Sequence, residues 1–90
     1  MSLREKINHA ETTIVDVRTP REFVIGHVAG SVNIPLNEVV SRIDELKEIQ
    51  PLVLCCESGV RSGQAADYLS EQGLDVVNGG GWKTVDAYKV

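Results

Sequence analysis

The sequence predicts an α/β fold: a central, mostly parallel β-sheet with helices on both faces. Three observations carry that prediction. Strand-like and helix-like segments alternate along the chain, the pattern from which parallel sheets are built. The segment Leu52-Val53-Leu54-Cys55 is an unbroken apolar run, as expected of a strand buried on both faces. The chain has 90 residues, enough for one small domain and too few for two. Residues 1–90 are therefore read as one domain, with residues 1–3 a vector-derived scar or a disordered start.

The elements follow in order. Thr12-Thr13-Ile14-Val15-Asp16-Val17 is rich in β-branched residues and reads as the first strand. Thr19-Pro20-Arg21-Glu22 has the form of a helix start, with Thr19 as N-cap, Pro20 at N1 and Glu22 closing a capping box. Gly26 keeps that helix short. Ser31-Val32-Asn33-Ile34 is a second extended piece, stopped by Pro35. Asn37 is placed to cap the next helix, whose inner face would carry Val39, Val40, Ile43 and Leu46. Pro51 ends that unit and the buried strand follows. A helix is expected from Ser62 to Gln72, with Ala65, Ala66 and Leu69 inward and Gly73 at C′. Asp75-Val76-Val77 reads as the last strand, broken by Gly79-Gly80-Gly81. The tail forms a short helix or cap.

The formal net charge is -4, and the basic residues form no run. Nucleic acid and anionic membranes both need a basic surface, so neither is an expected partner. No apolar stretch approaches the roughly 20 residues of a membrane span, and Met1-Ser2-Leu3-Arg4 lacks the apolar core of a signal peptide. The expected compartment is the cytoplasm as the chain stands, or the periplasm if a native signal peptide was trimmed.

The two cysteines, Cys55 and Cys56, are adjacent. A disulfide between neighbours closes a strained ring and cannot staple distant segments, which excludes a disulfide scaffold and disfavours a dithiol redox protein. A zinc site would need paired spacings that His9, His27, Cys55 and Cys56 do not have. A reactive thiol remains. Cys56-Glu57-Ser58-Gly59-Val60-Arg61-Ser62 follows the buried strand and leads into a helix. In parallel sheets, ligands bind beyond the C-terminal strand ends. A loop curled ahead of a helix can turn successive backbone N–H groups inward and hold an anion, and Gly59 permits the backbone angles this needs. Such a site favours a thiolate, so the Cys56 thiol is expected below the free-cysteine pKa of about 8.5. Arg61 would either anchor an anionic substrate group or brace the loop.

The same stretch, Cys56 to Ser62, resembles the active-site loop of rhodanese domains. Asp16-Val17-Arg18-Thr19-Pro20-Arg21-Glu22-Phe23, then Gly26-His27-Val28, Gly30-Ser31 and Asn33-Ile34-Pro35, resemble the family's other signature. Arg61-Ser62-Gly63-Gln64-Ala65 and the glycine-rich end are similar to the small thiosulfate sulfurtransferases of the phage-shock-protein-E type. The resemblance covers nearly the whole chain from Thr13 on. It implies a ping-pong reaction in which Cys56 takes sulfur from a small donor such as thiosulfate. The resulting persulfide yields it to cyanide, a thiol or a protein. It implies no metal and no organic cofactor, and a monomer is expected. It casts Asp16, Arg18 and His27 as structural support, and Glu57, Ser58, Gly59, Val60, Arg61 and Ser62 as the anion-binding loop.

Two rivals stand beside this reading. Counted from Cys55, the segment reads Cys, five residues, Arg61, Ser62, which matches the loop of cysteine phosphatases and arsenate-reductase-like enzymes. The other is a non-catalytic binding or sulfur-relay module on the same fold. Trp82 is expected to pack in the core or at its rim, and His9 to be solvated.

Overall fold

The computed structural model describes residues 1–90. The chain opens with α1 (Leu3–Asn8), capped by Ser2 in a reciprocal capping box with Glu5. Helix α1 buries Ile7 completely and so adds to the core. The Ser-x-x-Glu pattern that announces this helix is present in the sequence.

Strand β1 (Thr13–Asp16) runs into α2 (Pro20–Ile25), whose Thr19–Glu22 capping box forms as expected. Strand β2 (Val32–Asn33) is only two residues long. Asn37 caps no helix: Leu36–Glu38 is a single 3-10 turn, and α3 (Ile43–Glu48) starts later, after Arg42. The Arg42 guanidinium joins Glu38 to Glu45 across that gap. The delayed start turns Val40 outward, 62% exposed, while Val39 and Leu46 are buried.

Strand β3 (Leu52–Cys56) extends one residue further than the apolar run suggested and is buried throughout. Helix α4 (Val60–Glu71) begins two residues before the expected Ser62, directly after Gly59. Gly59 has no side chain to act as a cap, so the sequence carries no capping signal there. At the other end, Gly73 takes the left-handed conformation (φ 87°) of a C′ residue. Strand β4 (Val76–Gly81) runs straight through the glycines that were expected to break it, and α5 (Trp82–Tyr88) forms the tail.

The four strands are all parallel, in the order β2-β1-β3-β4. Alternation along β3 splits the core in two. Leu52, Leu54 and Cys56 join the cluster that holds Ala65, Ala66 and Leu69 of α4 and Leu46 of α3. Val53 and Cys55 join the cluster that holds Ile7 of α1 and Val85 of α5. Helices therefore cover both faces. From β1 the chain winds outward to β2, whereas from β3 it winds the other way to β4. The C-terminal ends of β1 and β3 flank this reversal, where open α/β sheets form their crevice. Asp16 and Cys56 are the last residues of these two strands.

Candidate active site

Cys56 ends β3 with its thiol turned into the short loop that leads to α4. Gly59 adopts φ 98°, a region open to glycine at little cost, and this turns its amide back toward the sulfur. Gly59 N–H donates to Cys56 Sγ at 3.0 Å. Ser62 contributes twice, with its backbone N–H and its hydroxyl each 3.4 Å from Sγ. Burial alone pushes the Cys56 thiol up. The Ser62 hydroxyl and the amides of Ser62, Gly59 and Ser58 outweigh burial and leave the thiol below its ordinary value.

Cys55 lies in the opposite environment. It is fully buried in the cluster shared with Ile14, Val53 and Val85. Burial pushes its thiol up to about 12, with the nearby Asp16 carboxylate adding to the effect. At neutral pH it is a packing residue.

The loop is held by α2 and by β4. Arg61 makes a bidentate pair with Glu22 of α2, at 2.7 and 3.0 Å. Of the two roles open to Arg61, this geometry is that of a brace. Strand β4 packs beneath: a Cβ on Gly81 would stand 2.9 Å from the Glu57 carbonyl oxygen, and one on Gly59 would stand 3.1 Å from Gly80 Cα. Gly81 is therefore clearance for the loop, and Gly79 is clearance for the core, where a Cβ would stand 2.8 Å from Val53 and Val85. From the same strand, the Asn78 side chain bonds to Gly59 and Ser62.

The rhodanese-like domain family matches residues 2–87. The thiosulfate sulfurtransferase PspE of Escherichia coli is 40% identical over 79 residues, which are 84% of this chain and 76% of that protein. A solved structure described as a rhodanese with anions from E. coli superposes with a TM-score of 0.74 at 39% identity, covering 81% of this chain and 89% of that one. A rhodanese-related protein from Thermoplasma volcanium superposes with a TM-score of 0.76 at 32% identity, covering 86% and 77%.

The chain belongs to the rhodanese-like domain family.

It spans about half the length of two Bacillus subtilis relatives, covering 54% of YqhL and 42% of YrkF. In this rhodanese-like domain, Asp16 and Arg18 brace the mouth of the crevice. Asp16 is fully buried and Arg18 is 3% exposed. The Arg18 guanidinium donates to both Asp16 oxygens and to the carbonyls of Glu22 and Gly26. It also lies 4.9 Å from the Trp82 ring centroid. Four of its five N–H groups are thus spent on the protein, tying the end of β1 to α2, and the ring contact reaches α5. His27 is exposed, stacked on Phe23 at 3.8 Å and bonded through Nδ1 to the Phe23 carbonyl. It closes α2 and makes no contact with Cys56. His9 is exposed, its Nδ1 accepting from the Glu11 amide. No three His, Cys, Asp or Glu side chains converge on a common point.

Ser58 and Glu57 stand exposed at the rim, the Glu57 carboxylate 4.0 Å from the Arg18 guanidinium. Val60 is also exposed. Asn78 is the site residue that sequence reasoning missed. Its partners in the loop and α4 lie 16 and 19 residues away, and its one local bond, from the Gly80 N–H, does not point to the site.

The Arg61–Glu22 brace has a pH signature. Arg61 first, then the Thr19 amide, hold the Glu22 carboxyl at about 2 instead of the ordinary 4.5. A carboxyl depressed in the folded state stabilises fully above its unfolded value and loses that contribution as pH falls through the folded one. The window is thus pH 4.5 down to about 2. Both side chains are one-third exposed, so water screens the pair and it is worth about 0.5–1 kcal/mol. Urea unfolding of Arg61→Gln should show a shallower loss of stability across this window than wild type. Equal slopes would mean that Arg61 does not hold Glu22 in solution.

Proposed function

We propose that this domain is a sulfurtransferase that works through a persulfide on Cys56. The thiolate attacks the outer sulfur of thiosulfate or a similar donor. The new bond joins Cys56 Sγ to that sulfur, the donor S–S bond breaks, and its electron pair leaves with sulfite. A thiophilic acceptor then takes the outer sulfur and restores the thiolate. The electrons balance within these reactants, so no outside oxidant or reductant is needed. Cyanide serves as acceptor in an assay; a thiol or a protein would serve in a cell.

The observation that carries this reading is the convergence of the Gly59 amide, the Ser62 amide and the Ser62 hydroxyl on one sulfur. Donors so placed favour a thiolate before attack and an anionic terminal sulfur after it. The family and the thiosulfate sulfurtransferase PspE agree with that chemistry. The phosphatase-like alternative needs Cys55 as nucleophile, and its thiol is closed into an apolar cluster and pushed up to about 12.

The direct test is intact-protein mass spectrometry after thiosulfate treatment. The expected result is a gain of one sulfur atom that cyanide removes. A protein that never gains sulfur from thiosulfate or any other sulfane donor would leave the binding-module reading in its place.

Glu57 should tune the first half-reaction. Its exposed carboxylate lies beside the loop that a dianionic donor must approach. Glu57→Gln is expected to raise kcat/KM for thiosulfate roughly two- to fivefold at low salt. The gain should shrink above ~0.1 M salt, where screening sets in over about 10 Å. A rate equal to wild type at low salt would place the carboxylate off the donor's path.

A further inference from the structure

The two residues whose N–H and O–H groups surround Cys56 Sγ are Gly59 and Ser62. One side chain bonds to both of them, and it comes from a different part of the chain. Asn78 Nδ2 donates to the Gly59 carbonyl at 3.0 Å, and Asn78 Oδ1 accepts from the Ser62 hydroxyl at 2.7 Å. Oδ1 also accepts the Gly80 N–H at 2.9 Å. A carbonyl on one side and an N–H on the other fix which way the carboxamide faces.

The backbone beneath is shaped for this. The β3–β4 register pairs Leu54 with Asn78 and Cys55 with Gly80, so β4 holds one extra residue, Gly79, at this point. Bulges next to active sites re-aim side chains. Here Gly80 turns to φ 88° and brings its amide back onto the Asn78 side chain. A Cβ on Gly63 would stand 3.2 Å from Asn78 Nδ2, so α4 leaves room for the carboxamide against its first turn.

We propose that Asn78 is a positioning residue for the Cys56 nucleophile, holding Gly59 and Ser62 in register so that their donors reach Sγ together. This rests on the Cys56 reading above. Asn78 never touches the sulfur. It acts by locking the Gly59 peptide in the orientation that aims its N–H inward, and by fixing the Ser62 hydroxyl beside Sγ. The Ser62 hydroxyl has a single proton and two acceptors, Asn78 Oδ1 and Cys56 Sγ. When the thiol ionises, that proton can swing to the sulfur, because Oδ1 keeps the Gly80 N–H as partner. The same carboxamide therefore supports both protonation states of Cys56.

The test is the pH dependence of Cys56 alkylation by iodoacetamide, in a Cys55→Ala background, for the parent and for Asn78→Ala. The parent midpoint should lie below the free-cysteine value of about 8.5. Asn78→Ala should raise it by about half to one unit, lowering the thiolate fraction roughly three- to tenfold at pH values below both midpoints. kcat/KM for thiosulfate should fall in parallel. Asn78 is exposed, and the buried Ser62 hydroxyl keeps Cys56 Sγ as a partner when the carboxamide is removed, so the variant should fold; Asn78→Ser is the second variant if it does not. A midpoint unchanged in the folded variant, with only the melting temperature altered, would reduce Asn78 to a structural tie and overturn the proposal. A lowered midpoint would also overturn it, since Asn78 would then be withholding the Ser62 proton from the thiolate. In both cases the depressed parent midpoint leaves the Cys56 reading intact. A parent midpoint at or above the reference would overturn both.

Discussion

Cys56→Ser is expected to abolish sulfur loading from thiosulfate, cutting turnover by roughly four orders of magnitude or more, as loss of a covalent nucleophile does. Cys55→Ala should leave turnover close to wild type and cost about 1–2 kcal/mol of stability, through the small cavity it opens in a closed cluster. The contrast follows from one backbone step. Cys56 Sγ lies within reach of the Gly59 and Ser62 donors, whereas Cys55 packs with Ile14, Val53 and Val85 on the other side of the sheet. Thiosulfate-to-cyanide turnover and urea unfolding, measured on both variants, decide the matter. If folded Cys55→Ala were inactive and Cys56→Ser active, the nucleophile would be Cys55 and the phosphatase-like reading would gain the stronger claim.

The second large effect is on stability. Asp16→Ala would strip the Arg18 guanidinium, 3% exposed, of its buried counter-charge and leave only the exposed Glu57 carboxylate at 4.0 Å. Removing one partner of a buried ion pair costs about 3–5 kcal/mol. For a domain of this size each kcal/mol moves the melting temperature by about 4–8 °C, so a drop of roughly 12–40 °C is expected. Total stabilities of small domains begin near 5 kcal/mol, so the variant would sit close to unfolding at room temperature. Replacing both residues by apolar ones of similar size should recover part of the loss. Thermal melts followed by circular dichroism read this directly. A drop of only a few degrees would mean that Arg18 finds water or another acceptor when Asp16 is gone.

The legibility of this protein in its sequence depended on distance along the chain. The capping box at Thr19 and Glu22, the buried strand before Cys56 and the Gly73 helix stop are each written within a few residues, and each stands in the structure. The box at Ser2 and Glu5 is equally local; giving it the same weight as the one at Thr19 would have found α1. What escaped was set by contacts between distant segments. Glycine composition argued against a strand through Gly81, but the approach of the Glu57 carbonyl requires glycine there. Arg61 had two open roles because its partner, Glu22, lies 39 residues upstream. Asn37 has a good capping side chain, but it lies inside a 3-10 turn, and the helix is delayed to Ile43.

The separation of Cys55 from Cys56 across the sheet also bears on how long the proposed Cys56 persulfide would last. A protein persulfide with a second thiol at hand decays by itself: the neighbour attacks the inner sulfur, a disulfide forms, and the outer sulfur is lost as sulfide. Here the neighbouring thiol is next in the chain but faces the other core cluster. It is held protonated, with its pKa pushed up to about 12, and so is a poor attacker at neutral pH. The charged form should therefore keep its cargo until an external acceptor arrives, and its lifetime in acceptor-free buffer should be the same with Cys55 or with Ala at that position. A clearly longer lifetime in Cys55→Ala would show that the sheet opens often enough for the two thiols to meet.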